Sequence, residues 1–130
     1  VTDEQPPELD RLEKAALVGQ AMIDRRAENV IALDVREVTS FADTVILASG
    51  GSDRQVRAIT DAVREMARER GIRVLGVEGY QEGRWVLMDL GDIVAHVFLR
   101  DVRKTYDLER LWSDAPVLVL GLDEAGDKAS

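Results

Sequence analysis

The stretch "RWVLMDLGDIVAHVFLRDVRKTYDLERLW", residues 84–112, decides how this chain folds. Two short apolar runs, 84–90 and 92–99, meet at a "GD" turn and read as strands of a hairpin. Because strand side chains alternate, Ile93, Ala95, Val97 and Leu99 share one face of the second run, while Val94, His96 and Phe98 share the other. The first run divides in the same way: Val86, Met88 and Leu90 lie opposite Trp85, Leu87 and Asp89. Both faces are apolar, so each must be covered by the chain itself or by something it binds. A third helix carrying "RKTYDLERLW" follows, with Tyr106, Leu108, Leu111 and Trp112 crowding one side.

Working outward, Leu9, Leu12, Ala16, Gly19, Ile23 and Ala27 recur at three- and four-residue steps and predict a first helix from about Glu8 to about Glu28. The runs "VIALDV" (30–35) and "TVILAS" (44–49) are short and β-branched, with "TSFAD" as the turn between them. Val56, Ile59, Val63 and Ala67 predict a second long helix over 53–70, with Met66 flanking that stripe. Ser52 with Gln55 forms a capping-box pattern at its start, and Gly71 is suited to close its end. "RVLGVEG" adds another strand. The order α, β, β, α, β, β, β, α predicts a single α/β domain with a five-stranded mixed sheet, since the long helix implies a crossover and the later short turns imply hairpins. The expected organisation is a flexible N-terminus (1–7), a domain (8–116) and a C-terminal tail (117–130), with the "PVLVLGL" segment (116–122) at their junction able to lie along the body.

Only two long helices are available as cover. If both lie on one face, the surface of Trp85, Leu87, His96 and Phe98 is left to the short third helix and "PVLVLGL", to a partner, or to both. Aromatic anchors (Trp85, Phe98, Tyr106, Trp112) beside acids (Asp89, Asp107, Glu109) suit a protein-docking surface with a charged rim.

The bulk composition narrows the partner. At 130 residues, with 45% apolar and 32% charged residues, the chain is an ordinary single domain, and no apolar run approaches the length of a membrane span. The acid-rich start shows neither a signal core nor a transit-peptide bias, and the chain has no cysteine, so a reducing cytoplasm is the expected compartment. A net charge of −8 opposes a phosphate backbone and favours basic surfaces, including those of proteins built into nucleic-acid assemblies.

Catalytic readings find little support in the residues. His96, the only histidine, lacks an evident nucleophile: the serines at 40, 49, 52, 113 and 130 form no nucleophile elbow, and no ligands stand at metal-site spacing. The "GGSDRQ" loop opens a helix and so offers backbone N–H groups to a phosphate, yet it lacks the lysine of a P-loop and reads first as a helix cap. It also resembles a nucleotidyltransferase loop, but Asp89 and Asp92 in "DLGD" are three residues apart and do not form that fold's carboxylate pair.

"LDV", "SFADTVILASGGSDRQVRAI" and "GVEGYQEGRWVLMDLGDIVAHVFLRDVRKTYDLERLW", in that order, resemble the ribosomal silencing factor (Iojap-like) family across residues 30–116. "LDV" and "SFADT" also read simply as strand and turn; the most specific parts are Glu78 with Trp85 seven residues on, the "DLGDIVAHVF" strand, and "YDLERLW". The resemblance implies a translation repressor rather than an enzyme, needing no cofactor, with a fold similar to a nucleotidyltransferase core. It implies binding to the large ribosomal subunit through ribosomal protein uL14, exclusion of the small subunit when nutrients run short, frequent homodimers in the free state and, with this start, a bacterial cytoplasm. The partner-binding residues would be Trp85 as anchor, His96 and Phe98 beside it, Tyr106, Leu108 and Trp112 as a frame, and Glu78, Asp89 and Glu109 as charge complements. The alternatives are a small nucleotidyltransferase-like enzyme using "GGSDR" and a homodimeric assembly module.

Overall fold

Arg11–Ile23 forms the first helix, α1, in the computed structural model of the chain, which describes residues 11–122. The expected start at Glu8 and the N-terminal segment 1–7 lie outside the described residues. Its end is earlier than the periodicity predicts. Arg26 adopts a left-handed conformation (φ 65°), the Ala27 N–H donates to the Met22 carbonyl and the Arg26 N–H to the Ile23 carbonyl, which is a Schellman stop without glycine. The Gln55 Nε2 group reaches across to the Arg25 and Arg26 carbonyls at 3.3 and 3.0 Å, so a residue of the second helix satisfies the end of the first. The buried stripe overlaps the expected one in part: Gly19 and Ile23 are buried as predicted, but Ala15, Val18 and Met22 also face inward and Leu12 is 42% exposed. "AALVGQAMI" supports two overlapping apolar stripes, and packing against the sheet selects between them.

The strands are β1 (Glu28–Asp34), β2 (Thr44–Gly50), β3 (Gly76–Glu78), β4 (Trp85–Asp89), β5 (Ile93–Leu99) and β6 (Val117–Leu118). Among the described residues they form one mixed sheet in the order β3-β4-β5-β2-β1-β6, in which only β2 and β5 run parallel. The sheet thus has six strands among the described residues rather than the expected five. Val117 and Leu118, read as tail, pair with Leu33 and Ala32 of β1. Two residues in a continuous apolar run carry no strand periodicity of their own; the open edge of β1 recruits them.

α2 spans Asp53–Arg70, as the sequence predicts. Ser52 accepts from the Gln55 N–H, Gln55 Oε1 accepts from the Gly51 N–H, and Gly71 closes the helix at φ 72°. Val56, Ile59, Val63 and Ala67 are fully buried. α1 and α2 both cover the face of Ala32, Ile46, Ala48, Val86, Met88, Ile93, Ala95 and Val97. Lys14 pins α1 to the β4–β5 turn through Asp92 (2.6 Å) and the Leu90 carbonyl (3.1 Å).

The opposite face gathers Leu33, Val35, Val45, Leu47, Val94 and Phe98 under two short helices, α3 (Arg100–Tyr106) and α4 (Leu108–Leu111). The sequence predicts one continuous third helix. Asp107 breaks it with a left-handed backbone (φ 48°), a conformation that Asp tolerates better than most residues. The break turns α4 back over the sheet.

Candidate protein-docking surface

On the face beneath α3 and α4, the register puts Trp85 beside Phe98 and Leu87 beside His96, while Glu78 lies beside Leu87 and Asp89 beside Val94. Directly opposed residues of antiparallel strands share a face, so Trp85, Leu87, His96, Phe98, Glu78 and Asp89 form one continuous surface. Gly79 makes the turn before β4 possible: at φ 83°, any Cβ there would run into the Trp85 carbonyl oxygen.

Five rings converge. Centroids lie 4.7 Å apart for Trp85 and Tyr106, 5.1 Å for Trp85 and Phe98, 6.0 Å for Trp85 and His96, and 6.1 Å for His96 and Trp112. His96 stacks on Phe98 with an 8° interplanar angle. These distances are within the range where aromatic pairs attract beyond simple burial. Exposure grades outward: Phe98 is fully buried and His96 5% exposed, Trp85, Leu87, Leu108 and Trp112 are half-buried, and Tyr106 and Leu111 are 57% and 69% exposed. The short helices therefore cover the sheet incompletely, leaving an apolar rim around a packed floor.

The Trp85 Nε1–H donates to His96 Nδ1 at 3.0 Å, so the imidazole is neutral with its proton on Nε2. Burial pushes the His96 pKa down to about 4, in keeping with that acceptor role. Among the described residues, no group of three or more His, Asp or Glu is arranged to hold a metal ion.

The expected acids separate into two kinds. Glu78 is exposed on the sheet edge, and Asp89 uses one oxygen to accept from the Gly91 N–H. Glu109 is instead held by Arg103, at 2.9 Å from Nη2. Arg103, only 7% exposed, also donates through Nη1 to the Asn29 carbonyl (2.8 Å) and to Ser49 Oγ (2.9 Å). Asn29 lies in an irregularity of β1 at φ 51°, which turns its carbonyl toward α3. Arg103 thus ties α3, α4, β1 and β2 together beneath the aromatic face. The sequence does not mark this residue, since nothing in the pattern separates it from the exposed Arg100 and Arg110. It borders a hollow of about 850 Å³ beyond the carboxyl ends of β2 and β5, where Arg100 pairs with Glu28 at 2.7 Å.

The chain is similar to known proteins in sequence and in backbone. The family described as "Ribosomal silencing factor during starvation" matches residues 8–130. A protein named ribosomal silencing factor RsfS from Bacillus subtilis is 46% identical over 101 residues, covering 78% of this chain and 86% of that protein. A maize protein named Iojap, chloroplastic, is 26% identical over 122 residues, or 53% of its own length. Among solved structures, a Chromobacterium violaceum protein superimposes with a TM-score of 0.80 at 35% identity, covering 94% of this chain and all (100%) of that one. A Bacillus halodurans protein gives 0.75 at 41% identity, covering 83% and 98%. With most of its length matched in sequence and in backbone, the chain belongs to the ribosomal silencing factor family of translation regulators.

Proposed function

We propose that the chain represses translation by docking the Trp85 face on ribosomal protein uL14 of the large subunit, where its bulk excludes the small subunit. Nutrient limitation is the condition under which this repression matters, in the bacterial cytoplasm. The observation that carries the reading is the graded aromatic cluster itself. Half-buried Trp85 and Trp112 and exposed Tyr106 and Leu111 surround a closely packed floor, which is the make-up of an interface hot spot. Trp85, Tyr106, Leu108 and Trp112 would touch the partner, whereas Phe98 and His96 would back them from inside. Glu78 and Asp89, on the same face of an acidic chain, suit a basic protein and would mainly steer association. Glu109 serves the frame through Arg103 rather than standing as a free anion.

On this reading the chain has a core similar to that of a nucleotidyltransferase but performs no catalysis. The loop "GGSDR" is engaged in capping: Ser52 and Gly51 both bond to Gln55. A second copy of the chain is the competing occupant of the aromatic face, and large subunits would then dissociate the dimer.

Co-sedimentation with isolated large subunits, followed by addition of small subunits, tests the reading. The expected result is stoichiometric binding and fewer joined ribosomes. Trp85→Ala should stay folded and bind about thirtyfold more weakly, the usual effect of truncating a central interface tryptophan. Undiminished binding by that folded variant removes the face from the proposal.

A further inference from the structure

We infer that His96 is the positioning residue of the docking face: it holds the Trp85 indole by its N–H edge and does not itself touch the partner. The inference rests on the docking reading for its consequence, although the bond to Trp85 stands independently of it.

The geometry sets the argument. Phe98 at 5.1 Å and Tyr106 at 4.7 Å limit where the Trp85 ring lies, but these tilted ring contacts do not by themselves require the N–H edge to face inward. Directional control comes from the Nε1–H bond to His96 Nδ1, the one hydrogen bond of the Trp85 side chain among the described residues. An indole nitrogen is a donor only, so its partner must present a lone pair. His96 does so from a fixed place: it is 5% exposed, stacked on Phe98, and held in β5 between the neighbouring strands β2 and β4. Its burial keeps the ring neutral at ordinary pH, which preserves the lone pair. With that bond made, the polar edge of the indole turns inward and its apolar surface is left for the partner. A rigid anchor also loses less freedom on binding than one that must be ordered first.

This role differs from a contact role in what it predicts. His96→Leu keeps an apolar side chain of similar bulk but offers no acceptor, whereas His96→Asn places an oxygen the same two bonds from Cβ as Nδ1. In isotope-labelled full chain, the Trp85 indole N–H resonance, assigned by its loss in Trp85→Phe, should show a scalar coupling to the His96 ring nitrogen and slow exchange with water. His96→Leu should abolish the coupling, speed exchange at least about tenfold and weaken large-subunit binding about tenfold. His96→Asn should restore most of both. An unchanged indole signal in folded His96→Leu overturns the inference, and so does equal loss of binding in both variants with the indole unmoved. Should the leucine variant fail to fold, absence of the coupling in the unaltered chain overturns it equally well. If the unaltered chain fails to bind large subunits, the docking reading falls and the positioning role with it, while the resonance still reports the bond.

Discussion

Arg103→Met is the perturbation that tests the frame beneath the aromatic face. The guanidinium makes two short bonds to groups of the sheet, the Asn29 carbonyl at 2.8 Å and Ser49 Oγ at 2.9 Å, and two to Glu109 at 2.9 and 3.4 Å. Methionine fills much of the volume but satisfies none of these. Ser49 is 2% exposed, so water reaches the abandoned site poorly, and an orphaned buried polar group costs about 1–3 kcal/mol. The Glu109 bridge deserves a smaller figure, because its carboxylate is 37% exposed and rehydrates once released, which limits the loss to at most about 1 kcal/mol. Together these give a destabilisation of about 3 kcal/mol, a large share of the roughly 5–15 kcal/mol of a typical domain. Urea and thermal unfolding should therefore show a Tm about 10 °C lower. Arg103→Lys, a point charge without the planar fork, should recover only part of this. Arg110→Met, an exposed neighbour, should stay within about 0.5 kcal/mol of the unaltered chain. An Arg103→Met variant as stable as the Arg110 one would refute the account of Arg103 as the tie between α3, α4 and the sheet.

Stability should also respond to pH through His96, whose pKa is about 4 when folded against 6.5 for the free side chain. As pH falls below about 6.5 the unfolded chain takes up the proton first, so this contribution is complete above that pH and is lost progressively down to about 4, by about 3 kcal/mol. Comparing urea midpoints of the unaltered chain and His96→Asn across this range isolates the effect; identical slopes would remove it. Gly79→Ala should destabilise by more than about 1 kcal/mol, since it combines a left-handed backbone with a collision at the Trp85 carbonyl, whereas Gly76→Ala, which meets nothing, should be nearly neutral. Chemical unfolding of the pair checks the contrast.

The legible parts of this fold are those where local chemistry and tertiary position agree. Asp53–Arg70 carries its own cap, stripe and terminal glycine, so its boundaries follow from sequence alone. The alternation in 84–99 assigns each side chain to the correct face for the same reason: a strand with period two leaves little choice once both runs are strands. Elsewhere the deciding partner is remote. Arg26 stops α1 with help from Gln55, Asp107 divides the last helix, and β6 exists because β1 offers it an edge.

The candidate site divides along the same line. Trp85, His96, Phe98, Tyr106, Leu108 and Trp112 are recognisable in the string as aromatic and apolar residues on two adjoining strands and the segment after them. Their grading from floor to rim is not, because exposure depends on how far α3 and α4 reach across the sheet. Nor does the string show that Glu109 is already held by a buried arginine or that the indole is tied to the imidazole. Residue type and periodicity determine which groups share a surface; only the packed chain determines which of them still have bonding capacity left for a partner, since that capacity is whatever the neighbours in space have not used.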